Sequence, residues 1–192
     1  MKRLILLIIF LSTLFSYSQE FIKCKDSINY LYIKNNNYHS YLKVEGKLEK
    51  TENPKVFKLG DYILQTLLIE KNKFNKGKDN EIEIIVNYIL KESEYLTSVY
   101  KSKLDLNFVP IELEKNKKAV LWFFKIPEEF KKNINEPIKA ERQVFVSRLT
   151  EEFIYSIAST QFENQSFEKI KEILGELIKS VEYGKVKEEI CN

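Results

Sequence analysis

The sequence predicts an α+β domain in which a mostly antiparallel sheet carries helices packed on its faces. Three segments make the prediction. Residues 79–104 and 166–183 each place their apolar residues on one helical face, and residues 119–126 are apolar on both alternating sets. A one-sided helix needs a surface to cover, and a strand that is apolar on both sides needs two covers, so the three segments answer one another.

Taken in order, Lys2 and Arg3 precede an unbroken apolar block from Leu4 to Leu11, and Ser16-Tyr17-Ser18 closes the region. Positive start, apolar run and small residues predict a secretory signal peptide over 1–18, cut before Gln19, with an uncleaved N-terminal anchor as the alternative. The run is shorter than the roughly 20 apolar residues of a membrane span. Residues 19–192 are then one domain, long enough to bury a core. Within it, residues 27–46 hold two tyrosine-rich runs around Asn35-Asn36-Asn37, which reads as an N-terminal hairpin.

Residues 56–69 read as one or two strands, with a helix as the alternative for 62–71. The long helix spans about 80–103: Ile82, Ile85, Val86, Ile89, Leu96, Val99 and Tyr100 share a face, and Asn80 with Glu83 forms a capping box. Residues 106–114 contain Pro110, which cannot donate to a ladder and predicts an edge strand or a bulge. The two-sided strand 119–126, with Trp122, is assigned to the sheet centre. Residues 142–149 and 152–159 are separated only by Thr150 and Glu151, a hairpin spacing. The closing helix, about 166–183, carries Phe167, Ile170, Ile173, Leu174, Leu177, Ile178 and Val181 on one stripe. Ser166 is its N-cap and Gly184 its stop. Gly175 in its middle costs roughly 1 kcal/mol, acceptable where a helix approaches the sheet closely.

Charge excludes one class of partner. Loss of Lys2 and Arg3 with the leader lowers the net charge from +3 to +1, so there is no basic excess for nucleic acid. The lysine groups Lys71, Lys73, Lys76, Lys78 and Lys115, Lys117, Lys118 read as solvated turns. Cys24 follows Lys23 rather than a small residue, which argues against lipidation. In an oxidising compartment an even cysteine count predicts a Cys24–Cys191 disulfide. Closing so long a loop is worth on the order of 5 kcal/mol in the chain-entropy model.

Catalytic motifs are hard to find. His39 is the single histidine and lies in a turn, so neither a triad nor a zinc site can be built around it. The five glycines, Gly46, Gly60, Gly77, Gly175 and Gly184, are isolated, which removes phosphate-cradling loops; no cofactor and no metal is expected. Glu112 with Glu114, and Glu128 with Glu129, are the carboxylates that could act as general acid and base. Tyr30, Tyr32, Tyr38 and Tyr41 either pack the hairpin onto the sheet or form a stacking surface for sugar or peptide. Asn164-Gln165-Ser166 matches the N-glycosylation pattern, but Ser166 is better explained as a helix cap.

From about residue 55 to 183, the order of elements around "KKAVLWFFKIPEEF", "RQVFVSRL" and "FEKIKEILGELIKSVEY" resembles an uncharacterised family of exported flavobacterial (Bacteroidetes) proteins. Trp122, Pro127, Gln143 and Ser180 carry that resemblance, Ile126 departs from it, and the N-terminal hairpin has no counterpart in it. The order is more remotely similar to the PsbP-like and DcrB-like α/β sandwich. The leader ending "LFSYSQ" is similar to flavobacterial export signals, and Asp26-Ser27-Ile28 to the Bacteroidetes O-glycosylation site, which makes Ser27 a modification candidate. The resemblance implies a fold and no catalytic residues.

These readings lead to an exported, non-enzymatic binding or accessory domain of the cell envelope, periplasmic rather than extracellular. Its partner is expected to be an envelope protein or a small ligand, met at the sheet edge or the hairpin, with no stable membrane anchor after cleavage. The alternatives are a hydrolase using carboxylates and a structural component of envelope assembly.

Overall fold

In the computed structural model the described residues are 18–24, 28–35, 38–75, 77, 80–113, 117–132, 139–184 and 187–191. The leader up to residue 17, the modification candidate Ser27 and Glu114 lie outside them. Two antiparallel sheets and two long helices make up the fold. The small sheet runs in the order β1 (Ser18–Lys23), β2 (Asn29–Asn35), β3 (Tyr38–Val44), β11 (Glu182–Tyr183). The large sheet contains β4 (Leu48–Lys50), β5 (Val56–Leu59), β6 (Tyr62–Glu70), β7 (Asn107–Glu112), β8 (Lys118–Lys125), β9 (Ala140–Leu149) and β10 (Phe153–Phe162). Its spatial order is β4-β5-β6-β10-β9-β8-β7.

Helix α1 (Glu81–Tyr100) covers one face of the large sheet. Its first turn is closed by the expected capping box: the Asn80 side chain accepts from the Ile82 and Glu83 backbones, and Glu83 accepts from the Asn80 N–H. Ile84, Ile85, Tyr88, Ile89, Leu96 and Tyr100 point inward onto Val120, Trp122, Phe124, Phe145, Ile154 and Ala158. Trp122 stacks on its cross-strand partner Phe145 with ring centroids 3.8 Å apart, and its indole N–H donates to Ser147 Oγ at 3.0 Å. After β8 a short helix α2 (Glu128–Lys132) turns the chain toward β9.

The opposite face has two covers side by side. Helix α3 (Phe167–Lys179) lays Ile170, Leu174, Leu177 and Ile178 on Leu121, Val144, Val146 and Ile157. Beside it the small sheet brings down Leu31, Ile33, Leu42 and Val44. The hairpin is thus β2–β3, as its tyrosine-rich runs predict, but it belongs to a second sheet packed face-on against the first.

Two details differ from the sequence reading, the rank of β8 and the end of α3, while the strand reading of residues 56–69 holds. Strand β8 is covered on both faces yet stands next to the edge, and β10 is central. Double cover is set by how layers stack, and here the covers reach past the centre, so apolarity on both faces does not fix a strand's rank. Residues 62–71 are strand rather than helix for most of their length, paired through a turn at Gly60, whose φ is 59°. Helix α3 stops at Lys179, short of residue 183. Its end is capped by other parts of the fold: buried Arg148 donates through Nη1 to the Ile178 and Val181 carbonyls, and Ser180 Oγ bonds the Leu177 and Lys43 carbonyls. Freed from the helix, Glu182 and Tyr183 pair with β3.

Candidate functional site

Strand alternation divides the four tyrosines. On β2, Leu31 and Ile33 enter the core, which turns Tyr30 and Tyr32 to the outer face. On β3, Leu42 and Val44 enter the core, so Tyr38 goes with them and His39 and Tyr41 face out. Tyr38 packs its ring 4.4 Å from that of Phe153 and donates to Thr150 Oγ1 at 2.9 Å. Burial pushes its hydroxyl up to about 12. It is a core residue that shares a hairpin with the others.

The remaining three form one group. Tyr32 and Tyr41 are directly opposite in the ladder, and Tyr30 meets Tyr41 edge-on at 5.9 Å. The Tyr32 hydroxyl is hydrogen-bonded to His39 Nδ1, and the Tyr41 hydroxyl donates to Glu182 on β11. Burial, then the Glu182 carboxylate, raises the Tyr41 pKa; burial, then Glu188 and Glu20, raises that of Tyr32. His39 therefore holds a tyrosine in place.

This outer face is roofed by residues 187–191 of the same chain. Gly184, at φ 100°, turns the backbone out of β11 while its N–H donates to His39 O. A 3₁₀ turn at Lys187–Glu189 follows, and Ile190 nests on Tyr32 and Tyr41, with Ile22 and Tyr30 at the margin. Tyr32 and Tyr41 are each left 5% exposed. Cys24 and Cys191 are joined by a disulfide with Cα atoms 5.5 Å apart, which fastens the turn to the end of β1. Lys187 adds an ion pair to Glu20.

At the far side of the molecule, β7 is an edge strand that pairs only with β8. Phe108 and Val109 are 48% and 52% exposed and point to opposite faces of it. Leu113 N–H donates to Lys117 O, so the odd-numbered residues of this strand turn their backbone groups toward β8. Pro110 therefore faces outward, where its missing N–H interrupts the free edge and opposes strand addition at that point.

The candidate carboxylates do not meet among the described residues. Glu112 lies beside an open concavity of about 440 Å³ with Asn80, Glu81 and Lys118. Glu128 is paired at 2.8 Å with Lys131, which also reaches Glu141 at 3.2 Å. The two regions adjoin opposite ends of β8. No group of three or more His, Cys, Asp or Glu side chains able to hold a metal occurs among the described residues, and no helix there is long and apolar enough to cross a membrane.

One titratable group was not singled out in the sequence. Glu92 sits on the inward stripe of α1 between Ile89 and Leu96, its Oε1 is sealed from solvent without a hydrogen-bond partner, and burial raises its pKa to about 7. The signal was present: a carboxylate at the centre of a regular apolar stripe.

No family model and no curated protein matches this chain. Among solved structures it is similar to the solution structure of cyanobacterial PsbP (CyanoP) from Synechocystis sp. PCC 6803, with 8% identity over 90% of this chain and 96% of that one and a TM-score of 0.47. A likeness that distant carries neither activity nor partner to this chain.

Proposed function

We propose that this is an exported accessory domain of a flavobacterial cell envelope that acts by recognition rather than catalysis, and that its free sheet edge meets the partner. The observation that carries the reading is the pair Phe108 and Val109, consecutive on edge strand β7 and half exposed on its two faces. Phe108 and Val109 flank the free edge from opposite faces, so a partner that clasps the edge covers both. Pro110 beside them favours capture by side chains over β-augmentation. The Cys24–Cys191 disulfide supports an oxidising compartment, and we place the protein in the periplasm, released from the membrane by cleavage before Gln19. The partner is an envelope protein or a small ligand, not nucleic acid.

A photoreactive phenylalanine analogue at position 108, expressed in the native envelope, tests the reading. The expected result is one discrete cross-linked partner, absent when the same group replaces Glu172 on the exposed side of α3. Equal labelling from both positions, or none from 108, would remove the β7 edge as the recognition surface.

A further inference from the structure

We infer that Lys187–Cys191 is a redox-latched cover, held by the Cys24–Cys191 disulfide over the Tyr30–Tyr32–Tyr41 face. The inference is independent of recognition at β7. It starts from a contrast in how the C-terminal segment is held. Before it, β11 is only two residues long, and Gly184 takes the chain out of the sheet. The turn itself keeps Lys187, Glu188 and Glu189 exposed; Ile190, the Lys187–Glu20 ion pair, a hydrogen bond between the Lys187 backbone and Tyr32, and the disulfide are among the contacts that hold it.

The first two attachments are weak. An ion pair between two half-exposed side chains is screened by solvent and contributes little. Burial of one isoleucine must offset the ordering of the whole turn. The covalent bond is therefore the latch, and it is reachable, because Cys191 lies on the surface. Beneath the cover, the small sheet rests on the large one through Leu31, Ile33, Leu42 and Val44, contacts that do not involve the turn. Opening the latch can therefore bare the aromatic face while the sandwich stays closed.

The opening reaction is thiol–disulfide exchange with an external dithiol. Its thiolate attacks one sulfur of the disulfide, the other cysteine leaves as a thiolate and takes up a proton, and the second thiol of the dithiol displaces the first cysteine. Two cysteine thiols and one oxidised dithiol result, with both electrons supplied by the dithiol. Ile190 then leaves, and Tyr32 and Tyr41 gain solvent along with the Ile22 and Tyr30 margin.

The experiment is tyrosine acetylation by N-acetylimidazole, read residue by residue by mass spectrometry on the whole mature chain with and without dithiothreitol. Hydrogen exchange of β10 is followed in parallel. Reduction is expected to raise labelling of Tyr32 and Tyr41 by about tenfold while β10 keeps its protection, the signature of a local opening. In the oxidised protein, Ile190→Ser is expected to raise labelling of the same two residues several-fold with the disulfide intact. Unchanged labelling after reduction would overturn the proposal, as would loss of β10 protection together with the labelling, which would make the disulfide a staple of the whole fold. Unchanged labelling in Ile190→Ser would also overturn it, since Ile190 would then not be the cover.

Discussion

The two faces of the large sheet are built from different materials. Under α1 the sheet presents rings and hydroxyls: Trp122 stacked on Phe145, Tyr88 edge-on to Trp122, and the Trp122–Ser147–Ser156 hydrogen-bond chain. Gln143 and Thr160 add a second buried polar pair. Under α3 the inward stripe is aliphatic apart from Phe167, which meets Phe123 edge-on, and polar groups work at its ends, where Arg148 holds the C-terminal carbonyls and Arg142 donates to Gln161. Both helices are amphipathic, but α1 carries a carboxylate on its buried stripe and the inward stripe of α3 is apolar. A helix docked through a purely apolar stripe should hold equally well across pH. One docked over a buried carboxylate should not.

The comparison breaks most visibly at Trp122. Truncating a fully buried Trp costs about 3–5 kcal/mol, and here the loss also strands the Ser147 hydroxyl as an acceptor and removes the stacking partner of Phe145. Trp122→Ala should therefore lie near the top of that range, above Leu174→Ala on the α3 side at roughly 3 kcal/mol. Urea denaturation of the two variants at one pH measures both. If Leu174→Ala cost more, the aromatic layer would not be the stronger half of the sandwich.

Glu92 gives the next effect in size, and it has a sign that can be worked out. Burial raises its pKa in the folded chain to about 7, well above the ordinary carboxylate range. Below the unfolded value both states hold the proton and the residue contributes no pH dependence. As pH rises from there to about 7 the unfolded chain releases the proton while the folded chain retains it, so stability falls, and above about 7 the full penalty stands. The interval corresponds to about 3 kcal/mol. Glu92→Gln should flatten the stability profile over that window and leave the protein about 3 kcal/mol more stable than the parent at pH 8, with little difference at pH 4. Denaturation profiles collected across that range decide it, and a variant that keeps the parental slope would place the titration elsewhere.

Much of this architecture is readable from spacing alone. The capping box at Asn80 and Glu83, the α3 stripe and the edge position of the Pro110 strand follow from local chemistry that tertiary contacts reinforce, and the Cys24–Cys191 pairing follows from an even cysteine count. What eluded the sequence depends on contacts between distant segments. The end of α3 was set by Arg148 and by the Lys43 carbonyl, both far away along the chain. The rank of β8 depends on where the covers lie, and the roof over Tyr32 and Tyr41 comes from a turn whose own residues are mostly charged. The tyrosines themselves could be divided by alternation: Tyr38 and Leu42 share parity on β3, so an inward Leu42 carries Tyr38 inward. The β7 surface was half legible, since Pro110 marks an edge but says nothing of Phe108 and Val109 remaining exposed.

The smallest effect tests the α3 side of the comparison. Gly175 reads in the sequence as tolerable where helix and sheet approach closely, but no close approach requires it: a methyl group added there would meet no heavy atom within 4 Å beyond its chain neighbours and its own helix backbone. Nor is its backbone in the left-handed region that would require glycine. Its cost is then purely conformational, the freedom an unfolded glycine loses on entering a helix. Gly175→Ala should stabilise the protein by about 1 kcal/mol and raise Tm by a few degrees, with no pH dependence. Thermal unfolding at pH 4 and pH 8 separates this gain from that of Glu92→Gln, which belongs to the higher pH alone. A Gly175→Ala variant less stable than the parent would mean that α3 is held closer to its neighbours than the aliphatic contact implies, and the difference between the faces would narrow accordingly.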